Sequence, residues 1–264
     1  MEEKNGIIWD VNPILLETGS LSIRWYGLLY ALGFLFGIIM ITRMFKSEGV
    51  KKEWADSLFL YAVIGTIVGA RLGHVFFYDW AYYKENLDEI IKVWHGGLAS
   101  HGGVIGVALA LWLWSRKYSK RSILWIGDII VVPAALLSAL IRFGNLMNSE
   151  IIGKPSDVPW AFTFTSVDNL PRHPSQLYEA LAYLTIFALL FYLYWKTDIR
   201  KKTGRLFGIL MTLLFSFRIL IEFTKENQVA FEADIPLNMG QWLSIPMIII
   251  GLFFWFRPLN KVKA

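Results

Sequence analysis

The amino-acid sequence predicts an all-α, polytopic membrane protein with about seven transmembrane helices, forming one integral domain over residues 1–264. Three observations predict it. Charged residues make up only 18% of the chain, where a soluble domain carries about a quarter. Apolar residues make up 55% and aromatic residues 16%, gathered into stretches approaching the roughly 20 residues that cross a bilayer as a helix. Lysine and arginine alternate in density between successive connections.

The expected spans are 25–45, 56–77, 98–115, 123–147, 177–196, 204–223 and 238–256. The first follows some two dozen residues of mixed polarity. No basic segment abuts it and no small-x-small site follows it, so it is expected to remain uncleaved, with Met1 kept. The second opens near Asp56 and carries Arg71. The third is short and begins in a glycine-rich run, which predicts entry as a loop. The fourth has Asp128 near its start and Arg142 near its end. Pro174 and Ser175 announce the fifth, the sixth carries Arg218 and Glu222, and the seventh begins near Gln241.

Charge sets the orientation. Segments after the first, third, fifth and seventh spans hold sixteen basic residues, from Arg43 through Lys263; the alternate segments, with Lys4, Arg24, Lys84, Lys92, Lys154, Arg172 and Lys225, hold seven. The positive-inside rule then puts the N-terminus outside the cytoplasm and the C-terminus inside it. The net charge of +5 is a consequence of topology, with basic residues in short loops and no nucleic-acid-binding face. Cysteine is absent, so any thiol in the chemistry comes from a substrate.

Three arginines remain inside spans: Arg71, Arg142 and Arg218. Each costs at least about 2.5–3.5 kcal/mol at a span centre and so marks a functional candidate; the bland alternative is snorkelling to the headgroups. The expected orientation gathers Tyr26, Arg71, His101, Arg142, Glu179, Arg218, Glu222 and Gln241 toward outer ends, with Arg71 roughly 9 Å below the surface. The inner halves are nearly all apolar. That distribution disfavours a carrier, which keeps polar groups near the midplane, and favours phosphate recognition at headgroup depth.

The motifs are polar and local. Trp94 to Gly103 reads Trp-His-Gly-Gly-Leu-Ala-Ser-His-Gly-Gly, where His101 can serve as a base and the glycines admit close approach; a glycine packing seam is the plain alternative. Arg142, Asn145, Asn148 and Glu150 cluster at one helix end, as a site or a capping network. Arg172 to Glu179 reads Arg-His-Pro-Ser-Gln-Leu-Tyr-Glu, as site or helix start.

These segments resemble the prolipoprotein diacylglyceryl transferase family. His95–Gly103 is similar to its His-Gly-Gly-x-x-x-His-Gly-Gly element and Arg142–Gly153 to its Gly-Arg-x-Gly-Asn-Phe-x-Asn-x-Glu-x-x-Gly signature. His173–Glu179 is similar to its His-Pro-x-Gln-x-Tyr-Glu element, Arg24–Gly27 to the start of its first helix, and Arg218–Phe223 to its Arg-x-x-x-Glu-Phe element. Ile141 stands where the family commonly has glycine, Leu146 where it has phenylalanine, and Lys225 where arginine is frequent.

The resemblance implies transfer of the diacylglyceryl group of phosphatidylglycerol to a prolipoprotein lipobox cysteine, in the bacterial inner membrane with the site facing the outer leaflet. No cofactor is expected, and no metal is called for: His95 and His101 could supply two ligands, but no clear third lies nearby in sequence. His101 is the expected base; Arg142 and Arg218 hold the phosphate, with Glu222 orienting Arg218. Asn145, Glu150 and Gly153 complete the phosphatidylglycerol-binding set, and Tyr26 closes the pocket. The other function classes weighed are a transporter of an anionic or lipid substrate, an intramembrane serine protease using Ser100 beside His101 (against which stands the missing Gly-x-Ser-x-Gly elbow), and a structural lipid-binding protein.

Overall fold

Helices of fifteen residues or more lie on all seven apolar stretches: α1 (Trp25–Ser47), α2 (Trp54–Phe77), α4 (Ser100–Trp114), α5 (Ile123–Met147), α6 (Ser175–Lys196), α7 (Arg205–Glu222) and α8 (Met239–Phe256), with a one-turn α3 (Trp80–Tyr83) between α2 and α4. The structure is a computed structural model describing residues 6–19, 21–226 and 237–258. Met1, Lys4, Lys261 and Lys263 of the sequence reading, and the side chain of Ser100, lie outside the described set. By length and composition α1, α2, α5, α6 and α8 are long and apolar enough to cross a membrane. The other two fall short for physical reasons. The fifteen residues of α4 span only about 22 Å before a π turn at Ser115–Ser119, and α7 carries Arg205, Arg218 and Glu222. Large apolar side chains such as Phe36, Leu60, Ile105, Leu220 and Phe253 point outward, as a lipid solvent allows and water penalises.

The chain divides into two compact units, residues 38–126 and residues 1–37 with 127–264. In the smaller unit α2 and α4 meet along glycines spaced by four, Gly65, Gly69 and Gly73 against Gly102 and Gly106. A methyl group on Gly69 would lie 2.6 Å from the Cα of Gly106, and one on Gly73 2.8 Å from the Cα of Gly102. Without a hydrophobic force between helices in lipid, such close backbone approach is what drives their packing. Gly102 of the His-Gly-Gly repeat is therefore a seam residue, the plainer of its two sequence readings. The expected loop entry is also present: Gly96 and Gly97 have φ of 85° and 70°, and helix begins at Ser100.

In the larger unit the segment between α5 and α6 is held by a small sheet that the sequence reading leaves as loop. Its strands are β1 (Ile7–Trp9), β4 (Phe162–Phe164) and β5 (Pro171–Arg172), in the order β1-β4-β5. β1 runs parallel to β4 with Ile7 opposite Phe162, and β4 antiparallel to β5. A separate hairpin pairs β2 (Ile14–Thr18) with β3 (Leu21–Arg24). Leu146, Phe162 and Phe164 form a buried cluster against Trp9, Phe143, Ile152 and Leu177, and the Trp9 indole donates to the Leu146 carbonyl at 3.1 Å. This ties the end of α5 to the start of α6. Asp128 accepts from the backbone amides of Gly204 and Phe207 and so caps α7; Asn238 and Gln241 form a reciprocal capping box on α8.

Candidate active site

Arg142 lies near the C-terminal end of α5, and its signature neighbours form a relay. Its Nη1 donates to Asn145 Oδ1 at 3.1 Å, Asn145 Nδ2 donates to Glu150 Oε1 at 2.7 Å, and Asn148 Nδ2 donates to the same oxygen at 3.3 Å. The turn beyond is tight: Ser149 and Ile151 have φ of 54° and 58°. A β-branched residue rarely accepts that region, at a cost of order 1–3 kcal/mol, and such strain collects at functional sites. The fully buried Gln176 holds the turn, donating to the Glu150 carbonyl at 2.7 Å.

Behind Arg142 sits a buried charge cluster. Glu179, one turn into α6, has no exposed surface. Arg142 Nε lies 2.9 Å from its Oε2, Lys225 Nζ 3.0 Å from its Oε1, and the Tyr183 hydroxyl donates to Oε1 at 3.3 Å. Lys225 also lies 3.0 Å from Glu222 Oε2. The expectation is that Glu222 aims Arg218. Glu222 engages Lys225, three residues on, and no ion pair joins it to Arg218 among the described residues. Positions three and four apart share a helix face, and the ammonium, already drawn in by Glu179, takes the nearer carboxylate.

Arg218 has an open donor among the described residues. Its Nε is buried with no hydrogen-bond acceptor among the described residues. Both Arg142 and Arg218 act electrostatically on the Tyr183 hydroxyl, which donates to Glu179. Tyr26, at the start of α1, feels the charges of Glu150 and Arg142. Its ring lies against residue 144, where a methyl group would come within 2.7 Å of it, so the close packing requires glycine there. Gly153 is likewise a close-contact position, since a methyl would meet His173 Cβ and Ser175 Oγ at 2.6 Å. Its amide donates to the His173 carbonyl at 3.0 Å, and its carbonyl accepts from Arg172 at 3.1 Å. The structure thus gathers Tyr26, Arg142, Asn145, Glu150, Arg218 and Glu222, with Gly153 as a backbone junction of the supporting loop. Outside the spans, the Arg172 guanidinium holds the Asp168 carboxyl below the usual carboxylate range.

In the smaller unit His101 is the second residue of α4, with its ring exposed. His95 is paired, its Nδ1 2.8 Å from Glu89. Arg71 is buried and committed. It donates to the carbonyls of Glu89 at 2.5 Å, Ile90 at 2.9 Å, Lys92 at 3.2 Å, Gly96 at 2.5 Å and Gly97 at 3.3 Å, with its guanidinium 4.9 Å from the Tyr83 ring centre. It ties down the loop that leads into α4. Among the described residues no three His, Asp or Glu side chains gather as a metal set.

A family model described as prolipoprotein diacylglyceryl transferase matches residues 13–257. The chain belongs to this family. A protein of Chloroherpeton thalassium named phosphatidylglycerol–prolipoprotein diacylglyceryl transferase is 48% identical over 263 residues, covering 100% of this chain and 98% of its own. Proteins of the same name from Tolumonas auensis and Porphyromonas gingivalis are 46% identical over 246 residues and 45% over 270, covering 93% and 97% of this chain and 95% of each relative. The carrier alternative gains no support from these relatives. Within the family frame, the sequence reading assigned no role to Glu179, Gln176, Tyr183 or Lys225. Glu179 carried an available signal, an acidic residue inside an apolar helix, the same criterion that singled out the arginines.

Proposed function

We propose that the protein transfers the diacylglyceryl group of phosphatidylglycerol to a prolipoprotein lipobox cysteine. The thiol sulfur attacks the glyceryl carbon that bears the phosphate. A carbon–sulfur bond forms as the carbon–oxygen bond breaks, the thiol proton passes to a base, and glycerol phosphate leaves with the electron pair. The observation that carries this reading is the buried Arg218 Nε, which has no acceptor among the described residues, together with an Arg142 guanidinium held by Asn145 and Glu179. A buried donor without an acceptor is costly, and a phosphate supplies acceptors in the geometry a guanidinium fork matches. Charge builds on the departing phosphate, which is what preorganised cations stabilise.

The remaining roles follow from chemistry. A cysteine thiol has a pKa near 8.5 and gains from a base; the exposed His101 imidazole is the base in this reading. Asn145 and Glu150 receive the glycerol headgroup, Gly153 keeps their loop close, Tyr26 closes the pocket, and Glu222 holds Lys225. All seven helices cross the inner membrane, N-terminus outside and C-terminus cytoplasmic, so the site faces the outer leaflet. The sixteen-to-seven basic asymmetry supports that orientation. Purified protein given phosphatidylglycerol and a lipobox peptide is expected to yield a thioether-linked diacylglyceryl peptide; no product would overturn the reading. A cytoplasm-active reporter should give signal after Ala264 and none after Asp88, and the reverse would overturn the orientation.

A further inference from the structure

Glu179 is the carboxylate between two cations. It is wholly buried, 2.9 Å from Arg142 and 3.0 Å from Lys225. A charge removed from water persists only when paired, and breaking such a pair leaves the partner charge buried and unmatched. The Arg142 contact has ion-pair distance without hydrogen-bond alignment, for Glu179 Oε2 accepts no hydrogen bond. It therefore holds the guanidinium by charge, while Asn145 Oδ1 supplies the directional bond. With Nε facing Glu179 and one Nη1 hydrogen on Asn145, the rest of the five-donor fork has no partner among the described residues and is open to an incoming anion.

We infer that Glu179 is a positioning residue for transfer, setting which edge of Arg142 meets the lipid phosphate. This rests on the proposed transferase reading. Lys225 contributes by sharing its charge between Glu179 and Glu222, which keeps Glu179 from binding Arg142 so tightly that its fork is masked. Glu179→Gln preserves shape and removes the charge. Among the described residues the Arg142 plane then has only Asn145 to fix it, and a misplacement of about 1 Å costs on the order of 10²-fold in rate.

The test is a double-mutant cycle in the phosphatidylglycerol and lipobox-peptide assay, using Glu179→Gln, Arg142→Lys and the double variant. Turnover is normalised to folded, monodisperse protein. Glu179→Gln is expected to lower kcat about 10²-fold with little change in KM for phosphatidylglycerol. The double variant should be no slower than Arg142→Lys alone, because Glu179 acts through Arg142. Normal kcat in Glu179→Gln overturns the proposal, as does multiplication of the two single losses, or a loss confined to the yield of folded protein. If Glu179→Gln does not fold, Glu179→Asp keeps the charge at shorter reach and enters the same cycle with the same deciding outcomes. Wild type and Arg142→Lys separate the two levels: an inactive wild type overturns the transferase reading, whereas active wild type beside a normal Glu179→Gln overturns only this inference.

Discussion

Replacing Arg71 by lysine should loosen residues 87–97 far more than the rest of the chain. Arg71 contacts five backbone carbonyls, those of Glu89, Ile90, Lys92, Gly96 and Gly97. A lysine ammonium has three donors at a single point and cannot span carbonyls fixed around a planar fork. At least two contacts are lost. Hydrogen bonds to a charged group contribute about 1.5–3 kcal/mol each, so local stability falls by about 3–6 kcal/mol. Each 1.4 kcal/mol is tenfold in an equilibrium. Amide exchange in 87–97 should therefore accelerate by about 10²-fold or more, up to the limit where the loop is already open. Hydrogen–deuterium exchange of detergent-solubilised wild type and Arg71→Lys measures this, with the α7–α8 pair as internal reference. Unchanged exchange in 87–97 would show that the carbonyl contacts do not hold the loop and would refute the reasoning.

Arg142→Lys and Arg218→Lys should each lose about 10²–10³ in transfer rate at saturating phosphatidylglycerol; near-normal turnover in both would remove the fork requirement and leave charge alone. His101→Ala should abolish or severely reduce transfer in folded protein while His95→Ala does less, His95 being exposed and engaged with Glu89; equal rates for His101→Ala and wild type would end its role as base. Asp168→Asn tests the clamp on the α5–α6 segment. Because the folded Asp168 pKa is lowered from its ordinary 3.8 by Arg172, its contribution is complete above 3.8 and is lost as pH falls through the lower folded value. The melting temperature of wild type should exceed that of Asp168→Asn at neutral pH and approach it in acid; a gap that widens in acid contradicts the assignment.

The helices were legible because each apolar run ends in charge or turn residues, and the helix ends fall within two residues of the expected limits. The Arg142–Asn145–Glu150 relay was legible too, since its members sit within one helix end and the turn after it. The sheet was not. Its strands have three, three and two residues, too few for alternation to register, and β1 pairs with a strand some 150 residues onward. Nor could sequence choose between Arg218 and Lys225 as the partner of Glu222, for spacings of four and three are both neighbours on a helix. The choice is made by Glu179 from another helix.

A charged group in an apolar helix is one observation in the sequence and three in the structure, and the difference lies in where its hydrogens go. Arg71 has its five carbonyls and an aromatic face. Arg142 has a hydrogen bond to Asn145 and an ion pair with Glu179, which together fix its plane. Arg218 has no acceptor for its buried Nε among the described residues. An anion entering near Arg71 would have to displace bonds already made, and near Arg142 it meets the unused edge of an aimed fork. Near Arg218 it repairs a deficit, since the cost of desolvating that donor is already incurred in the empty protein. Binding there gains most, and gains more as the phosphate acquires charge on leaving. That gradient gives the expected ordering in phosphatidylglycerol turnover: Arg71→Lys is felt through loop stability, Arg142→Lys through aim, and Arg218→Lys through the loss of a guanidinium whose buried Nε has no acceptor among the described residues.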